Sequence, residues 1–254
     1  VYSATVTASD GANSTTQDIT VNVTNLNDNS PSFTSSATFS AAENQTAIGT
    51  VTATDADRDS VTFTVSGSEL EITSAGVLTF ASAPDYETKT SYTATVTASD
   101  GANSTTQDIT VNVTNVNDVA PKFTSDSTFS ATENQTSIGT VTATDADGDG
   151  IIYSISGSDI TINNSSGVIA FVSVPDYETK TSYTATVTAS DGANSTTQGI
   201  TVNVTNVNDI APVFTSANNF NVVEGQTAIG TVTATDAEGD DVTFTVSGTE
   251  LAIT

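Results

Sequence analysis

A block of about ninety residues recurs along this chain, and that recurrence limits the possible fold more than any other feature. The run YSATVTASDGANSTTQDITVNVTN at 2–25 returns at 92–115, with Thr93 in place of Ser3. It returns again at 183–206, where Gly199 stands in place of Asp108. TVTATDA recurs at 50, 140 and 231, and PDYETKTSY at 84 and 175. The first step is 90 residues and the second 91, the extra residue falling where ELEITSAGV becomes DITINNSSGV. Such an insertion point reads as a hairpin loop. Boundaries after Asp28, Asp118 and Asp209 give two whole modules, 29–118 and 119–209. A C-terminal half-module at 1–28 and an N-terminal half-module at 210–254 flank them.

Within each period the apolar residues alternate. In Tyr92-Thr93-Ala94-Thr95-Val96-Thr97-Ala98 they take every second place, as do Ile109, Val111 and Val113. Period-two alternation with β-branched Thr between is the pattern of a half-buried antiparallel strand. Turn signals (SDGANS, VSGS, SAG, APD) separate about seven short runs per period. The expected fold class is all-β: tandem seven-stranded Greek-key β-sandwiches of the immunoglobulin kind in a linear array.

Composition removes most chemistries. The chain has no Cys, His, Met or Trp, so disulfides, thiol nucleophiles, histidine triads and zinc or haem sites built on Cys or His are excluded. Thirty acids against four bases give a formal charge of −26, which disfavours nucleic acid and anionic membranes as partners. No apolar run reaches membrane-spanning length, so no membrane insertion is expected, and residue 1 falls inside a strand pattern, as in an excerpt of a longer polypeptide.

The acids sit at turns, at the same places in each period: Glu43, Asp55 and Asp57, Asp85 and Glu87, Asp100, and Asn117-Asp118. Strand-end turns of a sandwich gather at its poles, where these carboxylates can converge. At an effective dielectric of about 20, two carboxylates ~4 Å apart repel by roughly 4 kcal/mol. With no His or Cys and few bases, a hard cation bound by oxygen is the natural counter-ion. Ca²⁺ suits irregular turns better than Mg²⁺. An EF-hand loop over Asp145, Asp147 and Asp149 would require Glu at its twelfth position, which is Ser156. Pairs such as Asp85 and Glu87 have the composition of a glycosidase dyad, but they repeat in each whole module without an aromatic cleft, so no enzyme is expected.

The segments TVTATDAD, PDYETKTSYTATVTASDG and VTNVNDVAPKF resemble the signature segments of cadherin repeats, in that family's order and over essentially the whole chain, as an array of the prokaryotic type. The resemblance implies Ca²⁺ between consecutive modules. At the middle junction it implies ligands Glu43, Asp85, Glu87, Asn117 and Asp118 from one side and Asp145, Asp147 and Asp191 from the other, with carbonyls of Val116 and Val119. Seven of those eight side chains are carboxylates, so the three ions typical of the family would leave about one negative charge. At the first junction it implies Asn27, Asp28, Asp55, Asp57 and Asp100. At the third it implies Glu133, Asp176, Glu178, Asn208, Asp209, Asp236 and Glu238. Three departures stand out: Glu238 replaces an Asp, Arg58 stands where Gly148 and Gly239 occur in the other copies, and Asp59, Asp149 and Asp240 are additional acids.

The function expected is a calcium-rigidified extracellular segment of a surface adhesin, stalk or filament protein. Its partners would be calcium, neighbouring modules of the same chain, and other copies in a filament that could complete the half-modules. The alternative is a module that recognises polysaccharide or pairs homophilically. Pairing by exchange of a Trp is excluded because there is none, and Tyr92 and Tyr183 fall on the inward register. The sequons at Asn22, Asn112 and Asn203 fall on the solvent register.

Overall fold

The computed structural model describes residues 1–253, and no helix occurs among them. They divide into two compact units, residues 1–116 and residue 117 onward.

The first unit opens with a hairpin, β1 (Tyr2–Ser9) and β2 (Ser14–Val21), in which Tyr2 lies opposite Val21. Nine strand segments follow: β3 (Ser32–Phe33), β4 (Thr38–Ala42), β5 (Ala47–Thr50), β6 (Ala53–Thr54), β7 (Thr62–Val65), β8 (Leu70–Ile72), β9 (Val77–Phe80), β10 (Ser91–Ser99) and β11 (Ser104–Thr114). Two of the seven runs are interrupted, which gives the nine segments. One sheet has the order β4-β11-β10-β7, and the other comprises β5-β9-β8 with the short pair β3-β6. The interruption between β3 and β4 lets one edge serve both sheets. β3 pairs antiparallel with β6, whereas β4 pairs parallel with β11, Thr38 opposite Thr110.

The second unit repeats this arrangement in β12 (Lys122–Phe123), β13 (Thr128–Thr132), β14 (Ser137–Thr140), β15 (Ala143–Thr144), β16 (Ile152–Ile155), β17 (Ile160–Ile162), β18 (Val168–Phe171), β19 (Ser182–Ser190) and β20 (Ser195–Thr205). It continues into residues 210–253, where β21 (Val213–Phe214) pairs with β22 (Ala234–Thr235). The inserted residue lies in the β17–β18 hairpin. There the Asn163 side-chain oxygen accepts the amides of Ser165 and Ser166, and the Asn164 carbonyl accepts the Tyr153 amide.

Each sandwich is filled by the alternating residues. Val96, Ala98, Ile109, Val111 and Val113 of one sheet meet Val51, Leu70, Leu78 and Phe80 of the other, and the second unit has Val187, Ala189, Ile200, Val202 and Val204 against Val141, Ile160, Ile169 and Phe171. Burying each of these aliphatic chains contributes on the order of 1.5–3 kcal/mol. Tyr153 replaces Phe63, and its hydroxyl accepts the Ala143 amide, so the added polar atom is satisfied. The intervening Thr, Ser and Asn face solvent, Asn112 and Asn203 among them. Burial is set by the opposing sheet rather than by local sequence. In the β1–β2 hairpin Val6 is 51% exposed and Val21 55%, while the identical positions Val96 and Val111 are fully buried.

Two glycines with positive φ separate space from conformation. A Cβ on Gly167 (φ +70°) would stand 2.1 Å from the Val141 carbonyl oxygen, whereas one on Gly157 (φ +97°) would meet nothing within 4 Å. Gly157→Ala should cost about 1–2 kcal/mol from the left-handed backbone alone. Gly167→Ala should cost at least ~3 kcal/mol, because the clash adds to the conformational term. Urea denaturation of the two variants checks this: equal midpoints would refute the close approach of Gly167 to Val141.

Candidate metal centres

The turn acids use one oxygen to build their own loop. Asp100 Oδ1 accepts the amides of Ala102 and Asn103 at 2.8 and 2.7 Å, and Asp191 Oδ1 those of Ala193 and Asn194 at 2.7 and 2.6 Å. Asp55 Oδ1 accepts the amides of Asp57 and Asp59, and Asp145 Oδ1 that of Asp149. The second oxygen of each, Oδ2 of Asp55, Asp100, Asp145 and Asp191, is buried without a hydrogen-bond partner. A buried carboxylate oxygen in that state is costly unless a cation meets it.

A second set of acids holds the inter-module linkers. Asp57 Oδ2 accepts the amides of Asp28 and Asn29 at 3.0 and 2.9 Å, and Asp147 Oδ2 those of Asp118 and Val119 at 3.1 and 2.9 Å. Glu238 holds the Asp209 amide on Oε1 and the Ile210 amide on Oε2, at 2.7 and 3.0 Å. From the preceding module, Glu133 (3% exposed) accepts the amides of Tyr177 and Val207 at 2.7 and 2.6 Å. Glu43, equally buried, accepts those of Tyr86 and Val116, both at 2.7 Å.

In the first unit the structure therefore groups Asn27, Asp28, Asp55, Asp57 and Asp100 around the 27–29 linker. Carboxylate oxygens of Asp55, Asp57 and Asp59 lie within 4.8 Å of one another. In the second unit Glu133, Glu178 and Glu238 converge as closely, as do Asp236, Glu238 and Asp240, and Asp145, Asp147 and Asp149. The additional acids Asp59, Asp149 and Asp240 thus belong to these groups. Asp85 and Asp176 do not enter them. Their oxygens instead accept the amide and hydroxyl of Thr88 and of Thr179. Asn208 and Asp209 lie on the linker held by Glu133 and Glu238, and Asp209 accepts a hydrogen bond from the Asn134 amide group.

Three residues were missed by sequence reasoning. Asn103 and Asn194 donate to the side-chain oxygens of Asn27 and Asn117 at 2.9 Å, and Asn29 donates to Asp57 at 2.9 Å. The recurrence of SDGAN was the available signal for the first two. Arg58 adopts φ +69°, the left-handed conformation that Gly148 and Gly239 take in its place at +83°.

Hydrogen bonding lowers the carboxyl pKa of Asp57, Asp100 and Asp191. The Asn29 side chain and the Asn29 and Asp28 amides hold Asp57 below the usual carboxylate range, and the Asn103 amide does the same for Asp100. For Asp191, desolvation pushes the carboxyl up, but the Asn194 and Ala193 amides together pull it below the usual value. Glu178 goes the other way, raised by desolvation and by the charges of Glu133, Glu238 and Asp176.

β-Sandwiches repeated along the chain, with carboxylates accepting the amides of the segments that join them, define a class of tandem-repeat protein. Residues 127–205 match the family model of the cadherin domain. The Protocadherin-like wing polarity protein stan of Drosophila melanogaster is 34% identical over 83% of this chain and 7% of its own length. Human Protocadherin-1 is 33% identical over 94% of this chain and 26% of its own. The chain thus spans a small part of these relatives. Among solved structures, mouse Cadherin-23 EC22-24 superposes with a TM-score of 0.64 at 26% identity, covering 83% of this chain and 78% of that one. The Protocadherin GammaB4 extracellular domain gives 0.67 at 26% identity over 93% of this chain and 43% of that one. The chain is an array of cadherin-like repeats. The prokaryotic type expected of it finds no support among these relatives.

Two predictions follow from the geometry. Glu133→Gln replaces an acceptor of two amides by a group that can accept only through one atom. It should destabilise the chain by about 2–3 kcal/mol even with a chelator present, because hydrogen bonds to a charged group are lost in a buried place. A thermal melt in EDTA that matches the unmodified chain would contradict that. For acid, the lowered values of Asp57, Asp100 and Asp191 set the sign. Their contribution is complete above the ordinary Asp value of 3.8 and is lost as pH falls through it toward their lower folded values. Chelated protein should therefore lose thermal stability from pH ~5 to pH ~2, and Asp100→Asn should flatten that loss.

Proposed function

We propose that this chain is a calcium-rigidified segment of an extracellular adhesion, stalk or filament protein, in which Ca²⁺ fastens consecutive modules and no reaction is catalysed. The observation that carries this reading is the set of buried, partnerless Oδ2 atoms on Asp55, Asp100, Asp145 and Asp191, each on a turn beside a linker. The donors are carboxylates, Asn oxygens and backbone carbonyls on irregular loops, a hard-oxygen set that fits Ca²⁺. When bound, the ion would supply the positive charge that lets these acids approach one another.

The residues divide the task. Asp55 and Asp100, with Asn27 and Asp28, would serve the first linker. Glu133, Glu178, Asn208, Asp209, Asp236 and Glu238 would serve the third. The copies Glu43 and Glu87, and Asn117, Asp118, Asp145, Asp147 and Asp191, carry the same pattern in sequence. Asp85 and Asp176 would act by capping their own turns through Thr88 and Thr179. An extracellular location, where calcium can fill sites of about 10⁻⁴–10⁻³ M, is part of this reading. Partners would be the adjoining modules and other copies of such an array. Polysaccharide recognition is not retained. Tyr92 and Tyr183 stand edge-on to Phe80 and Phe171 beneath Lys89 and Lys180, so neither offers an open platform.

Melting with Ca²⁺ against melting in EDTA tests the reading. At free Ca²⁺ a hundredfold above Kd each site adds about 2.7 kcal/mol, enough to raise Tm by several degrees. Asp191→Asn keeps the turn acceptor and removes the charge. It should reduce the calcium-dependent rise by more than it lowers the EDTA melt, in which only the charge assistance to the Ala193 and Asn194 amides is lost. Coincident melts of the unmodified chain in Ca²⁺ and EDTA would overturn the reading.

A further inference from the structure

The two whole modules differ on the outer face of their three-stranded sheet, and the differences run one way. In the first, β9 and the residues after it present Val77, Thr79, Ala81 and Ala83, with Glu71 of β8 opposite Thr79. In the second, β18 and the residues after it present Val168, Ala170, Val172 and Val174, with Thr161 of β17 opposite Ala170. A threonine has become alanine, two alanines have become valines, and an acid has become threonine. Val168, Val172 and Val174 are 49%, 60% and 55% exposed, so the core of the sandwich does not take them up. The strand on the other side, β14, sets Ser137 opposite Ala170 and Thr140 opposite Val168. Asp159, whose carbonyl accepts the Val172 amide, has its carboxylate paired with Lys180 at 2.8 Å. The result is an apolar strip along the central strand, bordered by hydroxyls and one neutralised ion pair. Apolar surface rimmed in this way marks a contact with another protein.

The charge of the face points to the partner. A basic partner would gain from an acid at 161, such as the first module carries at 71. Its replacement by Thr161 favours a partner that is itself acidic, and a second copy of this chain, at −26, is one. We propose that the outer face of β14-β18-β17 pairs with the same face of a second copy, about a two-fold axis that sets the two valine strips against each other. This rests on the reading above that such chains assemble with other copies, and it adds the surface. Three strands about 4.8 Å apart, carrying about seven residues at ~3.4 Å each, offer on the order of 300 Å² per partner, against about 800 Å² in a stable pair. The contact is therefore weak and transient, and a few methyl groups decide whether it forms.

The chain has no cysteine, so a single introduced thiol reports on one place only. Val172→Cys puts it in the strip, and Ala81→Cys puts it at the matching position of the first module. At a salt concentration of about 0.15 M, which screens the repulsion between copies, a short bis-maleimide should join Val172→Cys chains into dimers several times faster than Ala81→Cys chains. Sedimentation velocity of the whole chain over a range of concentrations gives the second readout. Val172→Ala combined with Val174→Ala restores the residues that the first sandwich carries in the same fold. It should weaken self-association by about tenfold or more, because each lost methylene counts twice across a two-fold axis. Thr161→Glu should weaken it as well, and more at low salt than at high, which a loss of packing alone would not do. Thermal melts of each variant check folding. Equal cross-linking at the two positions, or an unmodified chain that sediments as a monomer throughout, would overturn this inference. Melts of the same samples in Ca²⁺ and EDTA keep the two readings apart: a calcium-dependent rise without self-association sinks the pairing face alone.

Discussion

The linkers between modules are short stretches of backbone without a partner strand, and their amides need acceptors. Carboxylates supply them. Glu133 holds Val207 from the module before, and Glu238 holds Asp209 and Ile210 from the residues after. Each amide so accepted gains a charge-assisted hydrogen bond, so the acids have a role at the backbone before any ion is considered. Once several carboxylates are drawn to one linker, their mutual repulsion becomes the next constraint. Glu178 is raised above its usual value first by desolvation and then by the charges of Glu133, Glu238 and Asp176. The structural role of these acids thus creates the electrostatic condition that the proposed ion would answer.

Much of the fold was legible because it depends on periodicity. The strict alternation in 92–98 and 109–113 placed the core residues correctly, and the recurrent turn acids marked both the hairpin ends and the linkers. Other features depend on partners distant in sequence and left no local trace. The parallel pairing of β4 with β11 cannot be read from either strand, and the same Val is buried at 96 and half exposed at 6 according to whether a second sheet covers it. At the site, residue types were legible, but the allotment of oxygens was not. That Asp176 turns to Thr179, or that Glu238 divides its oxygens between two amides, follows from side-chain reach and backbone direction. The small amides Asn103 and Asn194 were overlooked because uncharged donors carry no charge pattern to attract notice.

The two sandwiches share their core but differ where a change can be absorbed locally. Tyr153 finds the Ala143 amide for its hydroxyl, and the longer hairpin at 163–167 feeds its extra carbonyl to Tyr153. Arg58 tolerates a backbone conformation that glycine provides in the sister copies. The core itself changes at near-constant volume, Leu70 and Leu78 giving way to Ile160 and Ile169, so one sheet still seats on the other. The turns vary as well, and they carry the acids, so neighbouring junctions can diverge while the scaffold stays constant.

The parallel β4–β11 pair joins the beginning of a module to its end, Thr38 to Thr110. A sandwich therefore cannot close until its last hairpin has emerged from synthesis, and contacts of such long sequence separation form slowly. The hairpins that close it, β10–β11 and β19–β20, are almost identical to each other and to β1–β2. Each could complete its neighbour's half-formed sandwich, the misassembly to which repeat proteins are prone. Order of arrival separates β10–β11 from β19–β20. A chain made from its N-terminus outward presents each open sandwich with its own closing hairpin before the next copy exists. Refolding from the fully unfolded state removes that ordering, and there the fidelity of the repeat becomes its hazard.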